Sequence, residues 1–352
     1  MSTEKAQLRS ARAEWNMGSI EQGAKNAVET CMGVKRGERV LIVTDESQLG
    51  VGRALKKAAE KITGGENVRM FVLEKIASRP LQSLPKQIDD EIPRSDVTFW
   101  AARSLPGELG ARHSFINEAK AHARHGHMPN ITATLMEQGM CADYNEVYEL
   151  THRVYDSVRG ARKIEVSNDL GADIVAEFDR SWRWVPSDGR YHEKGRWGNL
   201  PEGETFTAPK RVNGKLVTNL LGDWFSEKYG NFKETMTLSV KDSRIDLSSI
   251  QTENGLLKQE ITKYLSTDEN SNRASEFALP TNPILISLPT IGNLLQDEKA
   301  RVHIAFGDPY PDETGADWES GTHVDMLLER CDVRVDGKEL MRGGKYVFSD
   351  RT

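Results

Sequence analysis

Three cysteines in 352 residues, Cys31, Cys141 and Cys331, are too few, too far apart and wrongly spaced for a disulfide framework or a zinc ribbon. Such usage fits a reducing cytoplasm. Dense lysine and arginine tracts are also missing. The 47 basic residues are outnumbered by 53 acidic ones, for a net charge of −6, which argues against a surface dedicated to nucleic acid or anionic membrane. No apolar run approaches membrane-spanning length, and the polar opening Met1-Ser2-Thr3-Glu4-Lys5 has no signal-peptide core. Internal repeats and low-complexity tracts are absent. These absences lead to the expectation of a soluble, cytoplasmic protein without a nucleic-acid or membrane partner.

What is present is ordinary for an enzyme: 38% hydrophobic and 28% charged residues, in a chain long enough for two domains. Ile20, Ala24, Ala27, Val28 and Cys31 fall at helix spacing. From Glu38 strands and helices alternate: strands are predicted over 39–44, 68–73, 96–101 and 130–135, and helices over 52–62, 113–123 and 145–158. This rhythm implies a parallel sheet covered by helices. After Arg162 strands dominate, at 163–166, 173–178, 235–240, 301–306 and 333–335, with one helix over 255–264. The fold class expected is α/β: a parallel-sheet α/β domain over 1–160, then a β-rich α+β domain over 161–352, divided near Gly160-Ala161.

Two features of the first half invite other readings. Gly50-Val51-Gly52 follows a strand and opens a helix, with Glu74 after the next strand, which is part of a dinucleotide fingerprint. Leu55 stands where the third glycine belongs, so a ligand-free turn is the better account. His122, His125 and His127 are read as the solvated end of a charged helix and left out of any metal site.

The chemistry concentrates later. Val302-His303-Ile304-Ala305-Phe306 alternates like a half-buried strand and leads into Gly307-Asp308-Pro309-Tyr310, and His323-Val324-Asp325 puts an imidazole and a carboxylate on one face of a second. Upstream, Gly198-Asn199-Leu200-Pro201-Glu202-Gly203-Glu204-Thr205-Phe206-Thr207-Ala208-Pro209 places two carboxylates in a turn leading into a strand. Glu276 stands alone in the apolar run Ala274-Ser275-Glu276-Phe277-Ala278-Leu279-Pro280. These four segments, in this order, resemble the metal-binding segments of the aminopeptidase T / aminopeptidase S family of two-metal exopeptidases, over roughly the last 150 residues.

The resemblance implies Glu204, Glu276, His303, Tyr310, His323 and Asp325 as metal-site residues, with Glu204 and Tyr310 also at the chemistry. Three carboxylates and two imidazoles exceed what one tetrahedral ion takes and suit a pair about 3.5 Å apart, as zinc, cobalt or manganese. Such a pair would polarise a carbonyl, activate water and receive a free α-amine. Tyr310 would be a weak ligand or a donor to the tetrahedral oxyanion. Glu202 is either a general base or a solvated turn carboxylate. The connection from Tyr310 to His323, Pro311-Asp312-Glu313-Thr314-Gly315-Ala316-Asp317-Trp318-Glu319-Ser320-Gly321-Thr322, is shorter than the family's, and Trp318 there either meets substrate or covers the core edge. The resemblance further implies a homodimer acting on a small peptide or amide.

The alternative is a ring-cleaving enzyme similar to 2,5-dihydroxypyridine dioxygenases, with one Fe(II) on two histidines and an aspartate. Such an enzyme would place histidine at Glu276 and have no counterpart of His303.

Overall fold

The computed structural model describes residues 18–348. The chain divides into two compact units: residues up to Tyr148 with Gly189–Glu202, and Glu149–Asp188 with the residues from Gly203 onward. The expected single boundary near 160 is replaced by a change-over inside helix α4 (Tyr144–Val158) and a return excursion at 189–202.

The first unit holds helix α1 (Ile20–Lys25), which widens into π-helical turns over Asn26–Cys31. Its sheet is parallel throughout, in the order β2-β1-β3-β4-β8, from β1 (Val40–Thr44), β2 (Val68–Val72), β3 (Val97–Ala101), β4 (Arg124–His127) and β8 (Trp197–Asn199). Helices α2 (Leu49–Thr63) and α3 (Leu109–His122) belong to this unit. The α/β rhythm of the sequence is therefore real, with one strand misplaced. Residues 130–135 do not form a strand; β4 does, and it carries His125 and His127, which are 0% and 5% exposed. The expected solvated histidine face is thus corrected to a buried strand. Thr98 Oγ1 lies 2.9 Å from His125 Nδ1, and His125 Nε2 lies 3.1 Å from His127 Nδ1. Burial lowers the His125 pKa to about 3, against a backbone contact with Thr98 that works the other way.

Gly52 is a packing glycine. A β-carbon there would meet Thr44 of β1 at 2.8 Å, so α2 can lie close on the sheet only without a side chain. Beyond the ends of β1 and β2, Arg79 bonds Asp45 at 2.9 Å and Glu74 at 3.2 Å, and also binds Glu108. This ion network occupies the switch region where a doubly wound fold would receive a ligand.

The second unit is built from two antiparallel sheets. One runs β12-β11-β10-β6-β5-β16-β17-β18, from β5 (Lys163–Ser167), β6 (Asp173–Glu177), β10 (Arg211–Thr218), β11 (Met236–Lys241), β12 (Arg244–Gln251), β16 (Asp332–Val335), β17 (Lys338–Arg342) and β18 (Lys345–Tyr346). The other runs β15-β14-β13-β9-β7, from β7 (Val185–Ser187), β9 (Glu204–Thr207), β13 (Ala274–Pro280), β14 (Val302–Gly307) and β15 (His323–Leu328). Helix α5 (Gly255–Tyr264) follows β12. Phe277, Leu279, Ile304, Phe306, Val324, Met326 and Leu328 of the smaller sheet join the main apolar cluster together with Ile164, Ile174, Leu216 and Leu238 of the larger one. Strand alternation then dictates that the residues between them point the other way.

Candidate metal centre

On that other face the pairing register lines up the functional side chains. Ala278 pairs with His303 and Glu276 with Ala305 across β13 and β14. Ala305 pairs with Asp325 and Gly307 with His323 across β14 and β15. Pro280 pairs with Glu204 and Ala278 with Phe206 across β13 and β9. Paired residues share a face, so Glu204, Glu276, His303, His323 and Asp325 all project from one side of one sheet, from four neighbouring strands. A β-bulge between Ala274 and Glu276 turns Ala274 into the core, while Glu276 stays in phase with Ala278 on the other face. Ala278 and Ala305 lie between the larger groups, and their small side chains leave the middle of the face open.

Distances bear out the convergence. His303 Nε2 lies 3.3 Å from Glu276 Oε1, 3.7 Å from Glu204 Oε2 and 3.8 Å from Asp325 Oδ1. His323 Nε2 lies 3.7 Å from Glu276 Oε2 and 3.4 Å from Asp325 Oδ1. Glu276 thus offers one oxygen to each imidazole. Each ring is oriented from behind, with His303 Nδ1 3.2 Å from the Arg301 carbonyl and His323 Nδ1 2.8 Å from that of Asp308. A carbonyl only accepts, so Nδ1 carries the hydrogen and Nε2 is left facing the carboxylates, the tautomer of a metal-ligating histidine. Tyr264 steadies His323 further: its hydroxyl accepts the His323 N–H at 3.1 Å and donates to Asp223 at 2.6 Å.

Opposite charges dominate the electrostatics of this cluster. Burial alone would lower both imidazole pKa values. The hydrogen bond to Glu276 and the charges of Glu204 and Asp325 instead raise His303 to about 9, and Asp325 with Glu276 raises His323 to about 10. Asp325 is held down at about 2 against its burial by His323 and His303. Burial pushes the Glu204 carboxyl up, against the pull of Lys299 and His303. Glu204 Oε2 is buried and accepts no hydrogen bond. One donor atom each from Glu204, Glu276 and His303 lie within 4.8 Å of one another. An orphaned carboxylate oxygen among converging imidazole and carboxylate donors suits a divalent cation.

Tyr310 takes a left-handed conformation with φ of 51°. Its ring centroid is 4.7 Å from that of His323 and 6.2 Å from that of Phe206. It is 42% exposed, so it borders the cluster on its open side. Trp318 is 7% exposed, packs with Ala208 and Ala316, and donates from Nε1 to the Gly307 carbonyl at 3.1 Å. Of its two readings, cover for the core edge is the one its burial matches. Glu202 is not a solvated turn carboxylate: it is 2% exposed, and Tyr191 donates to it at 3.1 Å.

Three neighbours escape sequence reasoning: Lys299, Glu298 and Gly222. Lys299 is 2% exposed, with Nζ 2.5 Å from Glu204 Oε1 and 3.0 Å from Glu298 Oε1. Gln296-Asp297-Glu298-Lys299 reads as a solvated polar run, and its one clue is that it leads into the strand of His303. Gly222 is the third. A β-carbon there would come within 2.4 Å of Asp325 Oδ2, and its N–H bonds the Asp325 carbonyl at 2.8 Å.

Comparison with known proteins places this geometry in context. Aminopeptidase T of Thermus aquaticus is 31% identical over 176 residues, 43% of this chain and 40% of that protein. Aminopeptidase 2 of Geobacillus stearothermophilus is 29% identical over 175 residues, again 43% and 40%. The match thus spans well under half the length of these relatives. Among solved structures, wild-type AmpT from Thermus thermophilus superposes with a TM-score of 0.71 at 18% identity, over 94% of this chain and 99% of that one. A 2,5-dihydroxypyridine dioxygenase from Pseudomonas putida KT2440 gives 0.67 at 16%, over 94% and 97%. At such identities both show a shared fold and leave the chemistry to the residues. The profile of the thermophilic metalloprotease (M29) family matches residues 74–350, most of the chain, which therefore belongs to that family.

Proposed function

We propose that this protein is a metal-dependent aminopeptidase-type hydrolase that cleaves the amino-terminal peptide or amide bond of small substrates. The observation that carries the reading is the convergence of five ligand-type side chains from four strands on one sheet face. Glu204 Oε2, His303 Nε2 and Glu276 Oε1 would hold one divalent cation; Glu276 Oε2, His323 Nε2 and Asp325 Oδ1 would hold a second, with Glu276 as the bridge. Hard oxygens with imidazole admit zinc, cobalt or manganese. Such ions supply Lewis acidity to the scissile carbonyl and lower the pKa of water. The chain's own groups do the rest. The carboxylates offset the cationic charge, the Nδ1 contacts hold the imidazoles in place, and Tyr310 at the open side offers its hydroxyl to the oxygen on which charge develops. A cytoplasmic homodimer is part of this proposal, because an open hydrolytic site acting on small substrates is best enclosed by a second copy; light scattering returning a monomer mass would count against it.

The test combines metal content with turnover. Protein purified without added metal should carry up to two divalent ions per chain, hydrolyse a leucyl amide, and leave its N-acetylated counterpart intact. Equal turnover of both would reject α-amine recognition. One iron per chain, with oxygen consumed on 2,5-dihydroxypyridine and no amide cleaved, would replace hydrolysis by oxygenation.

A further inference from the structure

A lysine that is 2% exposed beside a metal-ligand carboxylate is costly unless its charge is used. The segment that delivers Lys299 is tied down by hydrogen bonds. The Asp297 carboxylate accepts the N–H groups of Ile291, Gly292 and Asn293 at 2.7–3.1 Å, and the Lys299 N–H bonds the Gln296 carbonyl at 3.1 Å. Arg301 is held by Glu329 at 2.7 Å and by the Leu288 carbonyl at 2.8 Å. From this frame the ammonium reaches Oε1 of Glu204 while Oε2 of the same carboxylate, buried and without a hydrogen bond, faces His303. The two oxygens of Glu204 are thereby given different tasks.

We propose that Lys299 is a positioning residue: by holding Glu204 Oε1 it presents Oε2 as a one-oxygen donor to the cation site, while Glu298, 3.0 Å from the ammonium, offsets its charge. The inference rests on the metal-site reading above. A lysine that merely stood in for a missing cation would compete with metal, and removing it would tighten metal binding. A lysine that aims a ligand has the opposite effect, because its loss frees the carboxylate to turn, and outer-shell partners of this kind typically change metal affinity by about 10–100-fold.

The experiment titrates the metal-stripped full chain with zinc against a chromogenic chelator. Lys299→Met should bind zinc about 10–100-fold more weakly than wild type, and Lys299→Arg, which keeps a charged donor for Oε1, should recover most of that loss. Equal or tighter binding by Lys299→Met overturns the inference. Should Lys299→Met fail to fold, Lys299→Gln, a donor without charge, makes the same comparison: binding weaker than wild type supports positioning, and binding equal to or tighter than wild type overturns it. A wild-type chain that takes up no zinc, cobalt or manganese removes the metal-site reading itself. A wild type that binds, with a Lys299→Met that binds as well, removes only the role given to Lys299.

Discussion

Replacing Glu276 by glutamine tests the centre of the cluster without changing its size. Glu276 meets His303 at 3.3 Å through one oxygen and His323 at 3.7 Å through the other. Glutamine keeps one weak oxygen donor, turns the second position into an N–H donor and removes the charge, so neither cation would retain its bridge. For wild type, metal at about 100 times its dissociation constant adds about 2.7 kcal/mol to the folded state. Domains of this size shift their melting temperature by about 2–4 °C per kcal/mol, so the metal-dependent rise should be about 5–11 °C. Glu276→Gln should lose most of it. The metal-free variant should also melt below metal-free wild type, because His303 Nε2 lies 3.3 Å from a Glu276 carboxylate oxygen and would lose that charged partner. Losing a hydrogen bond to a charged group costs about 1.5–3 kcal/mol. Differential scanning calorimetry of stripped protein, with and without zinc, cobalt or manganese, measures both effects. A full metal-dependent rise in Glu276→Gln would refute the ligand assignment at its centre.

Tyr310→Phe should keep the metal-dependent melting shift yet lower kcat on a leucyl amide by about 10²–10³, as removal of an oxyanion donor does; a lost shift would make Tyr310 a ligand instead. Gly222→Ala should weaken metal binding and spare the first unit, since its β-carbon would displace Asp325; unchanged affinity in a titration would show that the loop yields. His125 has a folded pKa of about 3 against about 6.5 unfolded. Its contribution is complete above pH 6.5 and is lost as pH falls toward 3, with about 2 kcal/mol gone by pH 5. Urea midpoints should therefore fall from pH 7 to pH 5 more steeply in wild type than in His125→Gln, and parallel slopes would show that this histidine is not what titrates.

Strand periodicity made much of this molecule legible. The runs at 39–44, 68–73 and 96–101 are strands because β-branched and aromatic residues crowd a pleated, buried surface. The same periodicity put His303 and Asp325 on faces that the register then brought together. β4 was hidden because Arg124-His125-Gly126-His127 is polar by composition, and only the fold shows Arg124 neutralised by Glu38 at 2.6 Å and both imidazoles enclosed. Lys299 was hidden for a related reason. Burial of a charge depends on a partner nearly a hundred positions away, and no local pattern announces it. The long hydrophilic alternation of β12 and the return of 189–202 to the first unit are likewise matters of pairing with distant residues.

The smaller sheet of the second unit turns one face to the apolar core and the other to the donor cluster, with alternate residues of the same strands serving each. Deleting a single codon inside β13, β14 or β15 would exchange the two faces beyond that point, sending carboxylates into the core and aromatics into the site. Evolution is therefore barred from length changes in these strands and must explore elsewhere. The connection over 311–322, which joins β14 to β15 outside the ladder, bears no such restriction, so insertion or deletion there leaves the donor residues on their own face.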